Sequence, residues 1–206
     1  KTPLEKSKLN FEDYTKQLIN LIDELDLEKI HLVGFSLGSL IARHFASIHK
    51  DRLSSLVLHG SIYKRSRDQK TVVQNRYEIL KLDGPASKKS ALRRWFTQEF
   101  IKDNKKIYNK IYSILEGNNQ KNFLKAYKLF VFYEDDDAII ENIITNTLVT
   151  TGQFDIGSTI EMAKNLSDMI KNSNFEEIKN GKHLCNIECA SEYNKILEKF
   201  INKNNV

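Results

Sequence analysis

The chain has 206 residues, 40% of them hydrophobic and 29% charged, with two prolines, two cysteines and a formal net charge of +5. That balance fits one folded domain with a sizeable core and excludes a low-complexity, collagen-like or disulfide-stapled chain. No apolar run reaches the ~20 residues of a membrane-spanning helix, and no secretory leader pattern is visible. The reading is therefore a cytoplasmic protein without stable membrane insertion.

The first periodic segment is FEDYTKQLINLIDEL, 11–25, whose apolar side chains Phe11, Tyr14, Leu18, Leu21, Ile22 and Leu25 share one helical face. KIHLVGF (29–35) is an apolar run of strand length, 37–49 returns to helical spacing, and LSSLVLHG (53–60) is a second buried strand. Helix, strand, helix, strand in that order implies an α/β fold: a parallel sheet with flanking crossover helices. From 62 to about 140 the strand signal stops. Four polar-rich helical segments follow, at 66–82, 86–101, 104–116 and 120–132, separated by Asp83-Gly84-Pro85 and by Gly117-Asn118-Asn119. They form a helical insertion, and EDDDA (134–138) reads as a solvated turn. TLVTTG (147–152) is a third strand, 158–171 a helix, NFEEIK (174–179) a short last strand, and 187–203 an amphipathic helix with Tyr193, Ile196, Leu197, Phe200 and Ile201 inward. The expected division is 1–61 core, 62–140 helical cap, 141–206 core.

Gly34, Ser36 and Gly38 form G-x-S-x-G between a strand and a helix. Alone the pattern is weak, with odds of roughly one in fifteen of arising by chance in such a chain. In this context it is the setting of a nucleophile elbow: the turn is so tight that the serine takes a strained backbone and its neighbours at Gly34 and Gly38 must lack side chains. Ser36 then stands at a helix N-terminus, where the backbone N–H of Leu37 can face a developing oxyanion. A serine hydroxyl needs a base, and the base an orienting acid. In this arrangement the chain order is serine, acid, histidine. Asp155 follows the strand 147–152, and His183 lies on the loop NGKHLCNIE before the last helix. The other candidates fit less well. His31 precedes Ser36 inside a strand, His44 and His49 sit on or just after the elbow helix, Asp68 and Asp83 fall in the insertion, and Asp168 lies in a helix. Phe35 and His59, at strand ends, are candidate pocket residues.

Cys185 and Cys189, with His183, faintly resemble a metal cluster, but one short group lacks the fourth ligand of a structural zinc. No metal is expected, and the cysteines read as packing thiols. Between positions 61 and 140 there are 17 Lys and Arg against 10 Asp and Glu, and 15 against 17 elsewhere. A basic middle can attract an anionic substrate, a membrane surface or nucleic acid, or be a set of solvated helix faces. No nucleic-acid motif accompanies it.

VGFSLGS, LVTTGQFD and NGKHLCNIE resemble the elbow, acid turn and histidine loop of the α/β-hydrolase superfamily. ARHFASIHKDRLSSLVLHG is similar to the segment after the elbow in the branch that includes 3-oxoadipate enol-lactonase-like enzymes, and SIYKRSRDQ with DGPASKKSALRRWFTQEF resembles a cap. The resemblance implies hydrolysis of esters, lactones or sometimes carbon–carbon bonds, with no metal or organic cofactor and a cap that shapes the pocket. Tyr63, Trp95 and Phe96 then either line that pocket or pack the cap onto the core. The substrate class is a small ester or lactone, with a weak hint of an anionic one. The alternative is a non-catalytic ligand-binding or inactive member of the fold. The family places further strands, and a loop giving a second oxyanion N–H, upstream of the elbow; only 35 residues precede Ser36 here. The expectation is that the sequence is the C-terminal portion of a longer hydrolase, weakly active or inactive alone. Its strand 29–35 would then be an open edge able to pair with a second copy.

Overall fold

Among the described residues four strands pair in parallel and in chain order: β1 (Ile30–Phe35), β2 (Leu53–His59), β3 (Thr147–Gly152) and β4 (Ser173–Ile178). The computed structural model describes residues 8–82 and 85–204. Helix α1 (Phe11–Glu24) precedes β1, and α2 (Leu37–Ile48) links β1 to β2. Between β2 and β3 the described residues form six helices: α3 (Arg67–Lys81), α4 (Pro85–Trp95), α5 (Gln98–Asp103), α6 (Lys105–Glu116), α7 (Gln120–Val131) and α8 (Asp137–Glu141). Helix α9 (Ile160–Met169) links β3 to β4, and α10 (Cys185–Glu188) and α11 (Ala190–Lys203) close the chain.

Alternation along the strands sorts side chains to the two faces. Leu56, Leu58 and Val149 pack with Leu40 and Phe45 of α2 and Leu166 of α9 in the main core. Val57 and Leu148 point the other way, onto Phe200, Ile196 and Leu197 of α11. The inward set expected for the last helix is met at Tyr193 and Phe200, which are buried. On α1 only part of the apolar face is covered: Ile22 is buried, whereas Leu21 and Leu25 are exposed. Among the described residues β1 has a neighbour on one side alone, and Val33 on its uncovered face is 43% exposed.

Three local expectations need correction. The helix expected over 86–101 is two helices, because Thr97 caps the second and its N–H and hydroxyl both donate to the Glu188 carboxylate. A side chain 91 residues away thus takes over the backbone at that point. The C-terminal helix likewise begins with the separate turn α10. EDDDA is more than a solvated turn: Asp136 caps α8, and Asp135 is drawn inward by an arginine. The break expected at Asp83 and Gly84 lies outside the described residues.

That arginine, Arg43 of α2, is fully buried. Its guanidinium donates to the carbonyl of Ile62 at 2.8 Å and to Asp135 Oδ1 at 2.7 Å, and lies over the rings of Tyr63 and Tyr133. Asp135 Oδ2 accepts from the Lys64 N–H at 2.7 Å. Arg65 donates to the carbonyls of Val131 and Phe130. The chain leaving β2 and the chain re-entering the core are thereby clamped to each other and to the elbow helix. Removing one partner of a buried pair strands the other charge, which costs about 3–5 kcal/mol, whereas an apolar replacement of the pair is often near neutral. Asp135→Ala is therefore expected to lower the urea-melt stability by about 3 kcal/mol, and Arg43→Met in that background to recover part of the loss. Equal stability of Asp135→Ala and the parent contradicts the clamp.

Candidate active site

Ser36 sits between β1 and α2 with φ 53° and ψ −117°, left-handed backbone that residues with a β-carbon seldom adopt. The turn is pinned from both sides. The Ser36 N–H donates to the carbonyl of His59 at the end of β2, at 2.9 Å, and the Ser36 carbonyl accepts from the N–H and the hydroxyl of Ser39. Gly34 is required by space. A β-carbon there would lie 2.5 Å from the Gly38 carbonyl oxygen, 2.7 Å from Ala42 Cβ and 2.8 Å from Ser39 Cα. Gly38 is not required in this way: its β-carbon would meet no described atom within 4 Å. The helix's first turn carries its own carbonyl, rather than the Gly38 hydrogen, toward β1.

The serine hydroxyl meets His183 and Asp155. Ser36 Oγ is 3.0 Å from His183 Nε2, and His183 Nδ1 is 2.6 Å from Asp155 Oδ2. Asp155 is 6% exposed and stands in a tight turn after β3, where its Oδ1 accepts from the N–H groups of Gly157 and Ser158 at 2.8 and 3.1 Å. Burial alone would resist its ionisation. The charge and hydrogen bond of His183 and these two amides outweigh that and hold its carboxyl below the usual carboxylate range. The histidine loop comes this close because Gly152, the last residue of β3, has no side chain; a β-carbon there would sit 2.2 Å from the Lys182 carbonyl oxygen. The loop is also tied to the helical segment. Glu188 accepts from the Lys182 N–H as well as from Thr97, and the Leu184 N–H donates to the Trp95 carbonyl at 3.0 Å.

These groups face a cavity of about 350 Å³, within the range of small-ligand sites. Phe35 and Trp95 line it, and so does Leu37, whose N–H at the first position of α2 has no carbonyl one turn back to bond. Phe123, Ala126, Tyr127 and Phe130 of α7, at helical spacing, form the opposite wall.

Three expected pocket residues are not on that wall. Tyr63 is packed into the main core with its hydroxyl on Asp137, and Phe96 is fully buried against Leu92 and Leu184. His59 lies a layer below. Its Nδ1 is 2.8 Å from the Thr150 hydroxyl, and its ring stacks at 5.2 Å on Phe35, whose other neighbour is the His183 ring at 4.9 Å. Sequence reasoning placed the helix at 120–132 but missed that its side chains line the cavity, and it missed Arg76, Arg94 and the two amides that hold Asp155. Only the last had a signal, the Asp-x-Gly-Ser run of an Asx-type turn.

The two cysteines and His183 do not converge. Cys185 Sγ is 3.7 Å from His59 Nε2, and Cys189 contacts the Lys179 carbonyl. Burial pushes the Cys185 thiol far up and Cys189 up to about 11, so both stay protonated at neutral pH. Among the described residues no three of His, Cys, Asp and Glu are grouped to hold a metal ion. No described helix is long and apolar enough to cross a membrane.

A parallel sheet whose first tight strand–helix turn lifts a serine toward a histidine and a buried carboxylate defines the hydrolases built on such sheets. The family model of the alpha/beta hydrolase fold matches residues 1–189, and the chain belongs to that family. It is a hydrolase. It is 28% identical to the (E)-2-((N-methylformamido)methylene)succinate hydrolase of Acinetobacter baylyi, over 92% of this chain and 72% of that protein. It is 24% identical to 3-oxoadipate enol-lactonase 1 of the same organism, over 90% and 69%. The crystal structure of the enol-lactonase from Burkholderia xenovorans superposes with a TM-score of 0.84 at 21% identity, covering 94% of this chain and 74% of that one.

Two measurements check this architecture. Gly34→Ala is expected to lower stability by about 2–3 kcal/mol through overpacking, and Gly38→Ala to change it by under about 0.5 kcal/mol. Equal effects contradict the one-sided crowding. Burial and the neighbouring His183 hold the His59 imidazole down to about 4 from its ordinary 6.5. Between those values the unfolded chain binds a proton that the folded one does not. Stability therefore falls as pH drops from about 6.5 to 4, by about 3 kcal/mol from this residue. His59→Gln is expected to flatten that part of the stability–pH curve, and an unaltered slope rules out a buried neutral His59.

Proposed function

We propose that the chain hydrolyses a small carboxylic ester or lactone through a Ser36–His183–Asp155 triad. The observation that carries this is the unbroken hydrogen-bonded series from Ser36 Oγ through His183 to Asp155 at the wall of a cavity. The relative named as a 3-oxoadipate enol-lactonase supports this class of bond.

Ser36 Oγ attacks the scissile carbonyl carbon while its proton passes to His183 Nε2. Asp155, ionised and held by the Gly157 and Ser158 amides, keeps Nδ1 protonated and stabilises the imidazolium. The Leu37 N–H donates to the tetrahedral oxyanion. Collapse breaks the carbon–oxygen bond, and His183 returns its proton to the leaving alkoxide. Water, deprotonated by His183, attacks the acyl-enzyme, and the second collapse releases the carboxylic acid and restores Ser36. Phe35 and Trp95 shield the site from bulk water, which strengthens each of these electrostatic contacts.

A fluorophosphonate probe is expected to label the chain at Ser36, and Ser36→Ala to abolish both labelling and hydrolysis of 4-nitrophenyl esters, at least a ~1,000-fold loss. Folded protein that the probe leaves unmodified favours a ligand-binding member of the fold. Activity retained in Ser36→Ala removes the triad.

A further inference from the structure

The cavity is mostly apolar, yet two guanidinium groups stand in its wall: Arg76 from α3 and Arg94 from α4. They arrive on different helices and face the same space as Ser36 and His183. Neither has a carboxylate partner among the described residues. Arg94 donates to the Ser90 hydroxyl at 3.0 Å, and the acidic group of the lining, Asp155, is already engaged by His183 and two amides. Arginines that merely cover a helical surface keep their charged heads in water. Arg94 is half-buried in the wall: its bond to Ser90 lies at the surface, while burial, and then the like charge of Arg76, push its guanidinium down to about 10.

Two like charges held near each other in a partly dehydrated wall are unfavourable without an anion between them. A carboxylate matches a guanidinium by two parallel N–H···O bonds, and such charge-assisted bonds are the strong ones. The aromatic wall of α7 covers the remainder of a ligand, and Tyr127, on that wall, is close enough to interact with Arg94. We infer that Arg76 and Arg94 form a carboxylate-binding subsite, so that the substrate is an ester or lactone bearing a second, free carboxylate away from the scissile carbonyl. This rests on the hydrolase reading of the same cavity. Arg76 and Arg94 are positioning residues: the anion docks on them and the carbonyl is thereby presented to Ser36.

The test compares mono-(4-nitrophenyl) glutarate with 4-nitrophenyl valerate, which have equal chain length and differ in the terminal carboxylate, after subtraction of the Ser36→Ala rate. The parent is expected to favour the glutarate ester by about tenfold or more in kcat/KM, mostly through KM, as one charge-assisted contact provides. Arg76→Met or Arg94→Met is expected to cut that ratio by about tenfold. The double variant should bring it to unity or below, and Arg94→Lys should retain part of it. Arg93→Met removes the same charge from an exposed neighbour outside the cavity and should leave the ratio intact. Glutarate binding by calorimetry gives a readout free of turnover, and the double variant should lose it. A ratio near unity in the parent with no glutarate binding overturns the subsite while leaving the triad standing. Glutarate binding that depends on both arginines, in a protein that turns over neither ester and takes no fluorophosphonate, keeps the subsite and removes the hydrolase reading.

Discussion

The backbone of Ser36 is the constraint on which the rest of the site depends. A serine at φ 53° and ψ −117° is disfavoured by roughly 1–3 kcal/mol, and the surroundings must over-determine it. They do so by contact as well as by hydrogen bonding. The end of β2 takes the Ser36 N–H, Ser39 takes its carbonyl, and Gly34 brings β1 against the first turn of α2 so closely that no wider turn fits between them. The side chain is left pointing away from the sheet, with little choice of direction. Every other group in the site is arranged around an oxygen whose position is set by packing, not by the side chain's own preference.

The imidazole is fixed by a second set of close approaches. Gly152 lets the histidine loop lie against the end of β3, and Glu188 ties that loop to the junction of α4 and α5. The helices over the site and the base inside it therefore move as one unit at that junction. Below the base, Phe35 separates two histidine rings that behave differently. His59, buried, is held neutral at any pH at which the site could work. When His183 accepts a proton it meets no second cation underneath and an ionised carboxylate at its side. The depressed Asp155 and the depressed His59 thus leave one ionised carboxylate beside the His183 ring and no second cation beneath it.

Much of this is legible in the sequence because it is carried by local pattern. The run 147–152 has the bounds that the structure gives β3, since its threonines and valine are β-branched and favour a strand. Serine, acid and histidine can be placed because each follows a strand or precedes a helix whose period is plain. What is not legible depends on partners far apart in the chain. Nothing near Thr97 announces that Glu188 will cap it, and nothing near Asp135 announces Arg43, 92 residues earlier. Tyr63 and Phe96 show the other limit. Aromatic side chains close to a pocket in sequence are equally suited to core, and periodicity tells which face is apolar, not whether that face meets a neighbour or a cavity. Gly38 shows a third limit: a motif glycine need not be there for space in this chain.

The basic middle of the chain illustrates why net charge is a poor guide to ligands until the side chains are placed. Its cations divide by environment. Lys64, Lys70 and Lys81 pair with Asp137, Glu134 and Glu78 at the surface, where water and salt screen each pair to little net effect. Arg65 is spent on two backbone carbonyls. Arg76 and Arg94 stand instead in a wall where aromatic side chains replace water and the same charge exerts a stronger field. The excess visible in composition is spread over the whole insertion, but the part that reaches the cavity is Lys88 and the two guanidinium groups of Arg76 and Arg94. They are hidden in sequence because a helix presents its arginines to solvent by default, and only the cavity beneath α3 and α4 reverses that.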